Sequence, residues 1–291
     1  MQDVYHIDKA RVRKSFARAA QHYDAAAILQ KIVRDEMMSR LDLVTIQPKV
    51  ILDAGCGTGL ASHALARKYA NANVIALDFA LPMLQKSRRV SLLNRLQYWL
   101  SGASQTLLCA DMENLPITKM STDFIWSNLA MQWCDLDSVL SEFHRILKPE
   151  GLLIFSTFGP DTLHELRQAT DTAHGHNSVS RFIDMHDIGD ALIRAGFSAP
   201  VLDVERYTLT YDNIKRVMQD LKSIGAHNAT DGRARGLSGK GFFNALEQAY
   251  EAFRRNGKLP ATFEVVYAHA WKGQTPAQDG VSPIQFHPRR L

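Results

Sequence analysis

The residues whose types and spacing promise most chemistry are Asp53-Ala54-Gly55-Cys56-Gly57-Thr58-Gly59. An apolar, β-branched run from Ile46 to Leu52, with Pro48 near its start, leads into them. Such a run, followed abruptly by glycines, reads as a strand covered on both faces. Gly55, Gly57 and Gly59 permit positive φ and let backbone approach a ligand where a Cβ would collide. Leu60 to Tyr69 then has apolar residues at 60, 61, 64, 65 and 69, which is helical spacing. The free N–H groups at that helix start suit a polar ligand. The G-x-G-x-x-G spacing of dinucleotide sites is absent: Leu60 stands where its third glycine belongs, and Gly59 comes one position early.

Two further acids repeat the pattern. Asn73 to Asp78 is a second buried strand ending in a carboxylate, followed by Phe79 and by Met83 in the next helix. In a nucleoside-binding βαβ unit, an acid at that position accepts hydrogen bonds from both ribose hydroxyls. The third strand, Leu107 to Ala110, ends at Asp111-Met112. Asp111 could accept from an adenine amino group, with Met112 against the ring. Asn128 and Leu129 close a fourth strand, Asp123 to Asn128, at the carboxyl end where ligands lie in open α/β sheets. Asp53, Asp78 and Asp111 therefore border one crevice.

The elements that hold this crevice follow from the alternation of short buried runs and helical periods. A fifth strand runs from Leu152 to Phe158, after a helix from Leu136 to Leu147 stopped by Lys148-Pro149-Glu150-Gly151. Later come helices over 161–173 and 184–195, a strand over 201–211, helices over 214–224 and 241–253, and a last strand over 263–271. The expectation is an α/β fold, a mostly parallel seven-stranded sheet with helices on both faces and a helical lid. Its expected divisions are lid helices over 1–45 (two of them within 8–42), a core over 46–211, a helical insertion over 212–262, the final strand over 263–272 and a tail over 273–291.

In 291 residues, 46% are hydrophobic and 22% charged, with a net charge of +4, ordinary values for a globular protein and too mildly basic to imply nucleic acid. No apolar run is long enough for a membrane span. Cys56, Cys109 and Cys134 form no C-x-x-C pair, which points away from a zinc site or disulfide framework and fits a reducing cytoplasm. Gly236-Leu237-Ser238-Gly239-Lys240-Gly241 departs from a phosphate-binding loop at both ends, and His174 and His176 lack a third ligand.

The D-x-G-x-G-x-G turn resembles motif I of class I S-adenosylmethionine-dependent methyltransferases. Ser15-Phe16-Ala17-Arg18-Ala19-Ala20 with His22-Tyr23-Asp24 is similar to the amino-terminal signature of malonyl-acyl-carrier-protein O-methyltransferases. So are Trp126-Ser127-Asn128-Leu129-Ala130-Met131-Gln132-Trp133-Cys134 and Leu221-Lys222-Ser223-Ile224-Gly225-Ala226. The resemblance implies S-adenosylmethionine as co-substrate, no metal, and a cofactor site of Asp53, Ala54, Gly55, Cys56, Gly57, Gly59, Asp78, Phe79, Met83, Asp111, Met112, Asn128 and Leu129. It implies methylation of a malonyl thioester that starts the pimeloyl part of biotin synthesis, with Tyr23 over the methionine end of the cofactor. Trp133 and Phe16 would wall the transfer channel. Arg145 is the expected cation for the malonyl carboxylate, or else a surface arginine at a helix end. An acidic carrier protein would dock on Arg11, Arg13, Lys14, Arg18, Arg233, Arg235 and Lys240. A related complex I assembly factor that hydroxylates a protein arginine, and methylation of another small carboxylate, remain open alternatives.

Overall fold

A computed structural model describes residues 7–93, 104–173, 180–224 and 240–274, without the side chains of residues 89–93 and 240. The expected docking residues Arg233 and Arg235, the side chain of Lys240, the Gly236–Gly239 and His174–His176 segments and the tail beyond residue 274 lie outside that description.

Seven strands form one sheet in the order β3-β2-β1-β4-β5-β7-β6. They are β1 (Val50–Ala54), β2 (Asn73–Asp78), β3 (Ser104–Cys109), β4 (Thr122–Asn128), β5 (Leu147–Phe158), β6 (Phe197–Tyr211) and β7 (Leu259–Lys272). Neighbours from β3 through β5 are parallel, and β7 runs antiparallel to β5 and β6. Helices α4 (Leu60–Lys68), α5 (Leu81–Leu93) and α6 (Leu136–Ile146) connect the parallel strands. The sheet reverses its order at β1 and β4, so their carboxyl ends part and leave the crevice there.

Side-chain alternation along the strands supplies two cores. On β7, Phe263, Val265 and Tyr267 face one layer and Val266, Ala268 and Ala270 the other. On β4, Phe124 and Trp126 face the first layer and Ile125 the second. The second layer is closed by Val139, Leu140 and Phe143 of α6 and by Ile188 and Leu192 of α8 (Met185–Arg194). The first is closed by α4, by α7 (His164–Thr172) and by elements from both ends of the chain. These are α3 (Ile28–Leu41), which contributes Leu29, Val33, Met37 and Leu41, and α9 (Ile214–Ser223) and α10 (Lys240–Glu251), which contribute Val217, Leu221, Leu246 and Tyr250. The expected lid is thus continuous with the main core.

Several boundaries differ from expectation. Strand β1 begins at Val50 and not at Ile46, because the Asp123 carboxylate takes the N–H groups of Lys49 and Val50 before the ladder starts. Residues 8–42 hold three helices and not two: α1 (Lys9–Ala19), the single turn α2 (Tyr23–Ala26) and α3, with Ala27 leaving helical geometry at φ −81°, ψ 46°. Strand β7 begins at Leu259, four residues early, where it pairs with Tyr211, so the late insertion ends sooner than expected.

Arg40 ties α3 to the far sheet edge. Its guanidinium meets Glu36 at 2.8 Å, Asp203 at 2.9 Å and Glu205 at 2.5 Å, and lies 4.1 Å from the Tyr267 ring centroid. Arg40→Met keeps the apolar stem and removes the fork. We expect a loss of about 1–2 kcal/mol, read as a lower urea midpoint at unchanged slope.

Candidate active site

The glycine turn is fixed from β2. Gly55 N–H and Cys56 N–H both donate to the Leu77 carbonyl at 2.8 Å. The Asp78 carboxylate accepts from Gly57 N–H at 2.9 Å through Oδ2 and from Ala80 N–H at 2.7 Å through Oδ1. Gly55 has φ +75°, and a Cβ there would lie 2.3 Å from the Cβ of Ala130. Only glycine lets the turn pass this close to the chain leaving β4. Each Asp78 oxygen keeps acceptor capacity beyond its backbone bond.

Above the turn lies an open cavity. Gly55, Gly57, Asp78, Phe79 and Met83 line it from the first two strand ends, and Asp111, Met112, Asn128 and Leu129 from the next two. Phe16, Tyr23 and Trp133 roof it. The Phe16 ring is the hub of an aromatic cage, 5.6 Å from Trp133 and 6.4 Å from both Tyr23 and Phe79. Expected residues far apart in sequence are therefore brought together.

Others sit differently. Asp53 and Cys56 line an adjoining chamber on the far side of Tyr23, together with Gln30, Arg34 and Thr58. Tyr23, Gly55, Gly57 and Asn128 border both spaces, so the two form one elongated site. Ala54 is fully buried and its carbonyl accepts from Ser127, so it supports the turn from beneath. Gly59 precedes α4 with φ +83°, and a Cβ there would meet Ser87 Oγ at 2.1 Å, which makes it a packing glycine between α4 and α5. Asn128 bridges elements: its Nδ2 donates to the Gln30 carbonyl at 3.0 Å and its Oδ1 accepts from Ser156 at 3.0 Å.

Arg145 requires a correction. Its Nε and Nη2 hold Glu142 at 2.7 and 2.8 Å, and its Nη1 and Nη2 donate to the carbonyls of Ile117 and Leu115 at 2.8 and 2.9 Å. It ends α6 just before β5 begins, at the opposite end of the strands from the cavity. The guanidinium is committed to the 115–117 loop and cannot hold a substrate in the crevice.

Lys9 is a cavity residue missed from the sequence, where it was one more cation of a basic run. Its Nζ lies 2.7 and 2.6 Å from the two Asp111 oxygens and 2.6 Å from Glu113. Asp111 thus receives the lid as well as facing the cavity. Asp111, Glu113 and Cys134 bring one ligand atom each within 4.8 Å of one another, and the cation between the two carboxylates is the lysine.

Burial sets the protonation states. It pushes the Asp78 carboxyl up to about 6, against the lowering effect of its two backbone N–H bonds. It pushes Asp53 up to about 7, opposed by the Ser62 hydroxyl that donates at 2.5 Å. Burial, aided by Asp78 and Asp24, raises the Tyr23 phenol, which therefore stays protonated at neutral pH. The Cys134 thiol is raised by burial as well and offers no thiolate.

Residues 52–155 match the family described as a methyltransferase domain. The chain is 59% identical over 291 residues to malonyl-[acyl-carrier protein] O-methyltransferase of Methylovorus sp. (strain MP688), covering 99% of this chain and 97% of that protein. It is 51% identical over 293 residues to the protein of the same name from Laribacter hongkongensis (strain HLHK9), covering 99% of each. Among solved structures, a candidate methyltransferase of Bacillus halodurans shares the fold with a TM-score of 0.57 and 17% identity, over 83% of this chain and 99% of that one. The fold is that of the class I methyltransferases. The chain belongs to the malonyl-[acyl-carrier protein] O-methyltransferase family. Of the readings left open by the sequence, this favours the methyltransferase over the hydroxylase.

The raised carboxyls carry a sign that can be measured. Asp53 and Asp78 ordinarily titrate near 3.8, and in the fold they hold protons to about 7 and about 6. Their contribution to the free protein's stability is present below pH ~4 and is lost as pH rises through 6 to 7. If Asp78 accepts from ribose hydroxyls it must do so ionised, and nucleoside affinity would then follow the opposite course. We expect S-adenosylhomocysteine to bind at full strength at pH 8 and to weaken on acidification below about pH 6, approaching tenfold per unit. Titration calorimetry across that range checks this, and Asp78→Asn should flatten the profile.

Proposed function

We propose that the protein moves the methyl group of S-adenosylmethionine onto the free carboxylate of a malonyl thioester carried by acyl carrier protein. The observation that carries the cofactor half is the Asp78 carboxylate held at the glycine turn beside a four-ring cage. The substrate half rests on the relatives' shared name over nearly the whole chain.

The residues fit the cofactor. Asp78 would accept from the ribose hydroxyls, Met112 and Leu129 would pack on the adenine, and Asp111 would face its amino group. The chamber of Asp53 and Gln30 would take the methionine end, with Tyr23 over the junction. When bound, S-adenosylmethionine supplies an electrophilic methyl on a sulfonium. The malonyl carboxylate is already ionised at neutral pH, so no residue needs to remove a proton. One carboxylate lone pair forms the new O–C bond while the C–S pair leaves with sulfur, and two opposite charges cancel. Phe16, Tyr23, Phe79 and Trp133 hold faces and edges around that reaction path, exclude water and favour a cation. Orienting the two reactants can supply roughly 7–11 kcal/mol at the ideal limit.

Helix α1 would receive the acidic carrier. Arg11, Arg13, Lys14 and Arg18 are all exposed, and none has an ion-pair partner among the described residues. The resulting methyl ester would enter pimeloyl assembly for biotin in the cytoplasm.

Incubation with isotopically labelled S-adenosylmethionine and malonyl carrier protein, followed by mass analysis of the intact carrier, should show one methyl per malonyl group. No transfer, with an active control methyltransferase in parallel, would overturn the assignment. Charge reversal at Arg11 and Lys14 should raise KM for malonyl carrier protein by about tenfold at low salt, with the difference shrinking at high salt. Turnover of malonyl-coenzyme A should change much less.

A further inference from the structure

We propose that Arg181 holds the free carboxylate of the malonyl thioester. This rests on the function proposed above and names the subsite that recognises the substrate. A second cavity lies beside the cofactor cavity and shares Trp133 and Cys134 with it. Its walls include Ile7, Met131, Phe158, Phe182 and Ile188, and Arg181 is the one charged side chain among its described lining residues. An apolar space with a single cation, opening beside the wall that faces the reacting methyl, is what a monoanionic acyl group requires. The charge is recognised, and the rest of the site keeps water from solvating the nucleophile.

Arg181 is free to do this. Arg40 is committed to Glu36, Asp203 and Glu205, Arg34 to Asp35, Arg145 to Glu142, and Arg206 to Asp161 and Glu264. Among the described residues Arg181 has no such partner. Its chain segment is nevertheless anchored. The Phe182 ring packs edge-on against Phe158 at 5.4 Å, and the Asp184 carboxylate caps α8 by accepting from His186 N–H at 2.9 Å. The opposite wall is fixed by Gln132, whose Nε2 donates to the Leu129 carbonyl at 2.8 Å, and by Thr157, whose hydroxyl donates to Gln132 Oε1 at 3.5 Å. A guanidinium fork can grip both carboxylate oxygens, or grip one and leave the other pointed at the methyl carbon. Ile7, which lines this cavity, lies two residues before α1, so a thioester arm leaving this cavity would emerge beside the basic face proposed for the carrier.

The test compares Arg181→Ala and Arg181→Lys with the wild type, using malonyl carrier protein as substrate, acetyl carrier protein as competitor and S-adenosylhomocysteine in calorimetry. We expect the alanine variant to raise KM for malonyl carrier protein by on the order of 100-fold. S-adenosylhomocysteine affinity and inhibition by acetyl carrier protein, which lacks the carboxylate, should stay within about twofold. The lysine variant should recover part of the loss. An alanine variant with wild-type kcat/KM would overturn the role of Arg181 while leaving the proposed reaction intact. A parallel collapse of S-adenosylhomocysteine affinity would also overturn it, by making Arg181 a structural residue. A wild type that does not methylate malonyl carrier protein would overturn the reaction and the subsite together.

Discussion

The Asp78 carboxylate gripping Gly57 N–H and Ala80 N–H is the constraint on which the site depends. It binds the end of β2 to the turn after β1 and leaves lone pairs directed at the crevice. The turn can occupy that position only because Gly55 and Gly59 lack a Cβ, which would strike Ala130 and Ser87, and because Gly57 adopts φ +55° beside the Tyr23 ring. In the free protein this arrangement is unfavourable, since Asp78 and Asp53 are buried and their carboxyls are pushed up to about 6 and about 7. A ligand bearing hydroxyls and positive charge relieves that penalty. Free energy stored against the free state would then become affinity for a bound cofactor, a form of the exchange between stability and function.

The same coupling extends to the lid. Helices at both ends of the chain share a core layer with the sheet, so the roof over the crevice is held by the packing that stabilises the domain. At the site itself the roof is fastened by polar contacts: Lys9 on Asp111 and Glu113, Thr58 on Asp24, and Asn128 on the Gln30 carbonyl. Such contacts can exchange with water at little net cost, whereas the buried leucines of α3 cannot. Opening for cofactor exchange is therefore expected to involve α1 and α2, with α3 remaining in place.

Much of this was legible in the sequence because it depends on local chemistry. The strand-end acids and the glycine turn are read from neighbours in the chain, and their meeting follows from the parallel order of β3, β2, β1 and β4. The aromatics Phe16, Tyr23 and Trp133 were legible as a group through resemblance, although nothing in their spacing brings them together. What failed was pairing over distance. Arg145 looked available because its partners, Glu142 and the carbonyls of Leu115 and Ile117, are set by how the loop after β3 folds back on α6. Lys9 was hidden in a run of cations whose other members face solvent. The early start of β7 was masked by Pro260, which sits opposite Thr210 at the outer end of the β6–β7 ladder.

These misreadings share a cause, and it bears on how a methyltransferase selects a carboxylate. A sequence reveals which residues carry charge, whereas function requires a charge that the fold has left uncommitted. Among the described residues, Arg34, Arg40, Arg145, Arg167, Arg194, Arg206, Arg254 and Arg255 are bound by neighbouring acids or carbonyls, and such groups contribute to architecture with little left for a ligand. The reaction removes one negative and one positive charge, so a site with strong counter-charges on both partners would hold the reactants more tightly than the transition state. The proposed guanidinium at the edge of the second cavity, beside the aromatic cage, would avoid that trap. It would orient the nucleophile with one cation and leave the sulfonium to the weaker attraction of aromatic faces. No acid–base pair is then required around the cavity, because the work left to the protein is desolvation and alignment.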